Sequence, residues 1–146
     1  MKLSDIRIVY QGGLTLDQVA KQPADLVNTF FFRAAGGVPP REPYATPERE
    51  KEYPEPSMFG MLPAYGFFIR HASGIELHNV EVGFLKEDRR PPFVLDSVKA
   101  ADFQHVKAQK AAGVPAFVLL NVEDFSVHGS PMTPDARIGK VGRKEM

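Results

Sequence analysis

The sequence predicts an all-β fold, a right-handed parallel β-helix (solenoid) fragment of about three coils, and three observations carry that prediction. First, placing Phe67 over Phe93 and Phe117, at spacings of 26 and 24 residues, brings Ile69 over Leu95 and Leu119. The same shift stacks Ala72 on Val98 and Val122, Ile75 on Ala101 and Phe125, and Leu77 on Phe103 and Val127. Second, Leu3-Ser-Asp-Ile-Arg-Ile8 copies the polarity of Leu77-His-Asn-Val-Glu-Val82 residue for residue, so the chain is expected to open inside a repeat. Third, the recurring units are short β-branched and aromatic runs with alternation, which are strand signals. A period in the twenties marks stacked units that cannot bury an apolar face alone. The Leu-x-x-Leu-x-Leu pattern of leucine-rich repeats is not seen.

In chain order, residues 3–10 read as a strand stopped by Gly12 and Gly13. Thr15-Leu-Asp-Gln18 has the spacing of a capping box, which predicts a short helix to about Lys21 before Pro23. Asn28 to Arg33 is a further apolar run. Residues 34–64 then read as a long loop excursion, with seven prolines (39, 40, 43, 47, 54, 56 and 63) and the charged run Glu48-Arg-Glu-Lys-Glu52. Proline lacks a backbone donor and fixes φ, so no central strand runs through this stretch. A loop of this length in a compact domain is uncommon unless it carries function. Its Tyr44, Tyr53, Met58, Phe59 and Leu62 argue for an ordered excursion packed on the coils. Residues 131–146 read as a solvated C-terminal tail, and Lys107-Ala-Gln-Lys110 as a solvated turn.

Length and composition bound the function. The chain has 146 residues, 43% hydrophobic and 10% aromatic, which suits one domain, 1–146, with its own core. Formal net charge is zero, so there is no electrostatic footprint for nucleic acid or an anionic membrane surface. Without cysteine there are no disulfides and no thiolate metal sites. No apolar run approaches the roughly 18 residues of a membrane-spanning helix. The charges in Met1-Lys-Leu-Ser-Asp-Ile-Arg fall where a signal peptide would be apolar, so no export signal is read.

Tyr53-Pro-Glu-Pro-Ser-Met-Phe-Gly-Met-Leu-Pro-Ala-Tyr-Gly-Phe-Phe-Ile-Arg-His71 is the most distinctive segment, followed by Gly74-Ile-Glu-Leu-His-Asn-Val-Glu-Val82 and Arg90-Pro-Pro-Phe-Val-Leu-Asp96. Together these resemble the C-terminal part of bacterial proteins in glycoside hydrolase family 28, the polygalacturonases and rhamnogalacturonases, across nearly all of Leu3 to Ser130. The resemblance implies a right-handed parallel β-helix, a hydrolase of pectic polysaccharide or oligosaccharide that inverts without metal or other cofactor, and a periplasmic or secreted location. The family's signatures are Asn-Thr-Asp, Asp-Asp, Gly-His-Gly and Arg-Ile-Lys. Here Asn28-Thr29 runs into Phe30, His128 sits in Val-His-Gly, and Arg137-Ile138 runs into Gly139. No catalytic residue carries over. The resemblance therefore implies a part whose catalytic coils lie N-terminal in the same parent protein, inactive alone. The other class left open is a non-catalytic β-solenoid module that binds polysaccharide or a protein partner.

Candidate sugar contacts follow from residue type and place. Arg70 and His71 close a strand beside the long loop, where a guanidinium matches a uronate carboxylate in a bidentate fork. Tyr53, Glu55 and Tyr65 are aromatic and acidic loop residues suited to sugar stacking and hydroxyl recognition. The repeat also sets Glu76 beside Asp102, with Ser126 next in the column. Inverting hydrolysis needs carboxyls roughly 6.5–9.5 Å apart, but this column reads as a solvated outer face. His78 and His128 share a column two coils apart, on the order of 10 Å, too far for one zinc ion. His105 aligns with Asn79, beside that column, and the histidines read as surface or turn residues.

Overall fold

A computed structural model describes residues 1–23, 38–52 and 58–146. They fall into two compact units, Leu14–Pro63 and the remainder, Met1–Gly13 with Ala64–Met146. In the first, Thr15 caps helix α1 (Leu16–Lys21) through the expected box. Its side chain accepts from the Gln18 amide at 3.2 Å, while the Gln18 side chain accepts from the Thr15 amide at 2.9 Å. Gln22 ends the helix in the left-handed region. Its buried amide then ties α1 to the excursion, donating to Val19 O at 2.5 Å and Met61 O at 3.1 Å and accepting from Met61 N at 2.8 Å. Arg41 adds bonds to Phe59 O and Met61 O at 2.7 and 2.9 Å. Val19, Val38 and Met61 form the unit's small core. The described part of the excursion is thus ordered by its own side chains. The expected run Asn28 to Arg33 lies outside the described residues.

The larger unit is a mainly parallel sheet. Its strands are β1 (Lys2–Gly12), β2 (Phe67–Arg70), β3 (Ser73–Lys86), β4 (Phe93–Asp96), β5 (Lys99–Gln104), β6 (Lys107–Ala108), β7 (Phe117–His128) and β8 (Ala136–Glu145). The register is the one the repeat predicts. Phe67 pairs with Phe93 and Phe93 with Phe117, and Ile69 with Leu95 and Leu95 with Leu119. Ile75, Ala101 and Phe125 align, as do Leu77, Phe103 and Val127. Leu3 pairs with Leu77, Ile6 with Val80 and Ile8 with Val82, which is the predicted N-terminal copy. β2, β4 and the start of β7 make one face, and β1, β3, β5 and the rest of β7 another.

Between the faces the chain turns at columns of left-handed residues. One such column bends the second face itself, where Asp5 and Asn79 inside β1 and β3 align with His105 and Gly129 just after β5 and β7, at φ of 57°, 52°, 52° and 60°. His71, Ser97 and Asn121 repeat this at 50°, 55° and 51°, and Gly74, Ala100 and Asp124 at 65°, 56° and 53°. Asp, Asn, His and Gly tolerate this region best. Ala100 gains nothing there, because its Cβ crowds the backbone at a cost of roughly 1–2 kcal/mol. Ala100→Gly is expected to raise stability by about 1 kcal/mol in urea titration. The neighbouring Ala101→Gly, at a buried ladder position with ordinary φ, is expected to lower it by a similar amount.

The core stacks apolar on apolar: Phe93, Phe103, Phe117, Phe125, Leu95 and Leu119 are fully buried. Residues 136–145, expected as tail, are instead β8, antiparallel on β7. Ile138 and Val141 lie opposite Phe125 and Val122 and pack on the core, while Lys140 bonds Glu123 at 2.5 Å. Gly139 and Gly142, weak strand formers, hid this alternation. In the expected turn, Lys107–Ala108 make a short parallel bridge to β3.

Candidate functional site

An open, polar groove of about 320 Å³ lies on the outer side of β3, β5 and β7. The ladder builds it. Parallel register sets Glu76 beside Asp102 and Asp102 beside Ser126. The period-2 alternation of β7 turns His128 to the same side as Ser126. Ser126 Oγ donates to Asp102 Oδ1 at 2.5 Å, and His128 Nε2 lies 3.0 Å from the same oxygen. Lys2 Nζ lies 3.4 Å from Glu76, and Arg137 Nη2 lies 3.7 Å from Asp124 at the groove's far side. Both Asp102 and His128 keep over two-fifths of their side chains in solvent, so these are screened surface contacts of modest strength.

Chemically the groove is an acidic, hydroxyl-bearing surface. Three carboxylates (Glu76, Asp102, Asp124) face one guanidinium and one imidazole. The Ser126 hydroxyl is spent on Asp102 instead of being held by His128, so the three do not form the nucleophile–base–carboxylate relay of a serine hydrolase. Among the described residues no group of three or more His, Asp or Glu is placed to hold a metal ion. His78 and His105, from neighbouring columns, meet edge to face at 5.8 Å. A second open groove, about 450 Å³, runs along the charge ladder Arg7, Glu81 and Lys107.

The sequence-predicted contacts are distributed differently. Tyr53 and Glu55 lie outside the described residues. Arg70 ends β2 opposite Asp96, with its guanidinium 5.5 Å from the Phe68 ring centre, and His71 follows, exposed, on a left-handed corner. These two are adjacent at a turn between faces. Tyr65 is a correction. It is 3% exposed, edge-on to Tyr10 and Phe84, so neither ring face is open to a sugar. Its hydroxyl donates to the backbone oxygen of Gln109 and lies 3.4 Å from that of Val82. Burial first, then the negative charge of Asp88, keeps that hydroxyl protonated well above the ordinary phenol range. An apolar strand start favours burial over display, and the Tyr65-Gly-Phe-Phe-Ile run carried that signal.

Sequence reasoning reached the Glu76, Asp102 and Ser126 column but missed that His128 joins it. It also missed Asp88 and Arg90. Asp88 is completely buried, and Arg90 clasps it through Nε at 2.9 Å and Nη2 at 2.8 Å. Comparison with protein-family models, curated proteins and solved structures finds no match. Fold and groove define a class only, an all-β chain of register-locked parallel strands with a polar outer face.

Proposed function

We propose that this chain is the C-terminal, right-handed β-helical part of a pectin-degrading glycoside hydrolase of polygalacturonase type, acting outside the cytoplasm. It forms wall and rim of the sugar cleft, with the catalytic aspartates on coils N-terminal to β1 in the same parent protein. The observation that carries the reading is the register. The segment with the most specific resemblance, ending at His71, runs into the first of three aligned strand starts, Phe67, Phe93 and Phe117. A register-locked parallel stack is a scaffold on which binding residues sit at strand ends and loops. Arg70 and His71, where β2 ends at the corner between the faces, hold the uronate carboxylate.

A second reading, a non-catalytic module that binds polysaccharide, is favoured by the engagement of Asp102 with Ser126 and His128, which leaves the Glu76 and Asp102 pair without acid and base assignments. Both readings expect residues 1–146 to release no reducing ends from polygalacturonate. A positioned acid and base each supply roughly 10²- to 10⁴-fold, and neither is assembled here. Both also expect binding of oligogalacturonate, weakened at least about tenfold by Arg70→Ala, the loss of one charge-assisted contact. Titration calorimetry with oligogalacturonate and with neutral galactan checks this. Failure to bind any pectic oligosaccharide would sink the proposal, and turnover abolished by Asp102→Asn would move the active site to the outer groove.

A further inference from the structure

Parallel register carries the corner that ends β2 across two further strands. Arg70 pairs with Asp96 and Asp96 with Leu120, while His71, Ser97 and Asn121 follow them in the left-handed column. Phe67, Ile69, Phe93 and Leu95 pack into the core, so the alternation turns Arg70 and Asp96 to the same outer side. Both are half-buried. Opposite charges on neighbouring ladder positions attract, yet each of these is held by its own chain neighbour. The Arg70 guanidinium lies 5.5 Å from the Phe68 ring centre, and Asp96 Oδ1 accepts from Ser97 Oγ at 3.0 Å. Among the described residues nothing donates to Asp96 Oδ2. Ser97 makes its bond from a φ of 55°, a region that serine favours little.

We propose that Asp96 is the specificity-determining partner of Arg70, accepting a ring hydroxyl of the sugar whose carboxylate Arg70 takes. The inference rests on the uronate reading of Arg70 and deepens it, because it names the ligand as a uronic acid free at both its carboxylate and that hydroxyl. Parallel strands lie roughly 4.8 Å apart, a separation that one sugar ring spans between its carboxylate and a ring hydroxyl. A guanidinium matches the carboxylate in a bidentate fork, and an ionised carboxylate accepts from a hydroxyl more strongly than a neutral group does. Selection comes from the two together. A carboxylate without a neighbouring hydroxyl meets the charge of Asp96, and a neutral sugar gains nothing from Arg70. A methyl ester or an acetylated hydroxyl removes one of the two contacts. Ser97, which orients Asp96, is a positioning residue.

Titration calorimetry of residues 1–146 with oligogalacturonate, and with oligogalacturonate acetylated on its ring hydroxyls, tests this. The unmodified ligand is expected to bind about tenfold more tightly, the worth of one hydrogen bond to a charged group. Asp96→Ala is expected to weaken the unmodified ligand by that factor and to erase the preference, since the hydroxyl and Asp96 are coupled. Ser97→Gly is expected to shrink the preference while leaving the urea midpoint no lower, because glycine takes the left-handed corner without strain. A purely structural role for Asp96 would weaken both ligands alike and keep the preference. That outcome, tighter binding by Asp96→Ala, or an unchanged preference in Ser97→Gly would overturn the proposal while leaving Arg70 as the carboxylate contact. Binding of neither ligand by the unsubstituted chain would sink the uronate reading, and this inference with it.

Discussion

Phe93→Ala is expected to cost about 3–5 kcal/mol, close to the total stability margin of an ordinary domain. Phe93 is fully buried in the middle of the aromatic column. Its ring stacks on Phe67 at 5.9 Å and Phe117 at 5.0 Å and meets Phe103 edge-on at 5.5 Å. Truncation removes the transfer energy of the ring and leaves a cavity between its two stacked neighbours. That cavity resists collapse, because β2, β4 and β7 are held in register by parallel backbone pairing on both sides of Phe93. Phe67, only partly buried at the edge of the same column, is expected to cost distinctly less when truncated. Urea unfolding of the two variants checks the ordering. A Phe93→Ala cost below about 1 kcal/mol would contradict the stacked core.

The column that makes Phe93 costly is also what made the fold legible. When repeated strands pair in parallel, each inward position sees its own counterpart on the neighbouring strands, so apolar residues recur at the repeat length and a sequence offset becomes a spatial register. Leu3 to Ile8 falls on Leu77 to Val82 for this reason. The capping box at Thr15 was equally readable, since its two bonds are local. Less visible were features that depend on partners distant in sequence. Ser97 and Ala100 occupy left-handed corners that their residue types do not announce, and were given no role until the columns were built. β8 was hidden because Gly139 and Gly142 interrupt a strand stabilised by packing on Phe125 and Val122. In the site, Asp102 and Ser126 were aligned by the period, but the contact from His128 required knowing that β7 stays extended through that stretch. Tyr65 misled because a tyrosine at a loop end suits both sugar stacking and core packing, and only burial separates them.

The charged string Lys86-Glu-Asp-Arg-Arg90 gave no hint that it contains a buried ion pair, and from this pair comes the other large effect. Arg90→Met is expected to cost about 3–5 kcal/mol, because it leaves a buried carboxylate without its counter-ion. The Asp88 side chain is completely buried and that of Arg90 is 11% exposed. Asp88 Oδ1 accepts from the Arg90 backbone amide at 3.0 Å and from Nε at 2.9 Å, Oδ2 accepts from Nη2 at 2.8 Å, and Nη1 reaches Ala64 O at 3.3 Å. The pair thus folds the segment before β4 against the entry to β2. There Pro91 O accepts from Tyr65 N at 3.1 Å and Pro92 O from Phe67 N at 2.8 Å, the first rungs that set the strand register. Desolvating two charges offsets much of their attraction, so the pair as a whole contributes far less than the loss of one member suggests. Asp88→Leu combined with Arg90→Met is therefore expected to be more stable than Arg90→Met alone. Equilibrium unfolding of the two single variants and the double variant measures the coupling. Simple additivity of the two losses would mean that Asp88 and Arg90 stabilise the turn separately, and that the clasp is geometry without a shared energy.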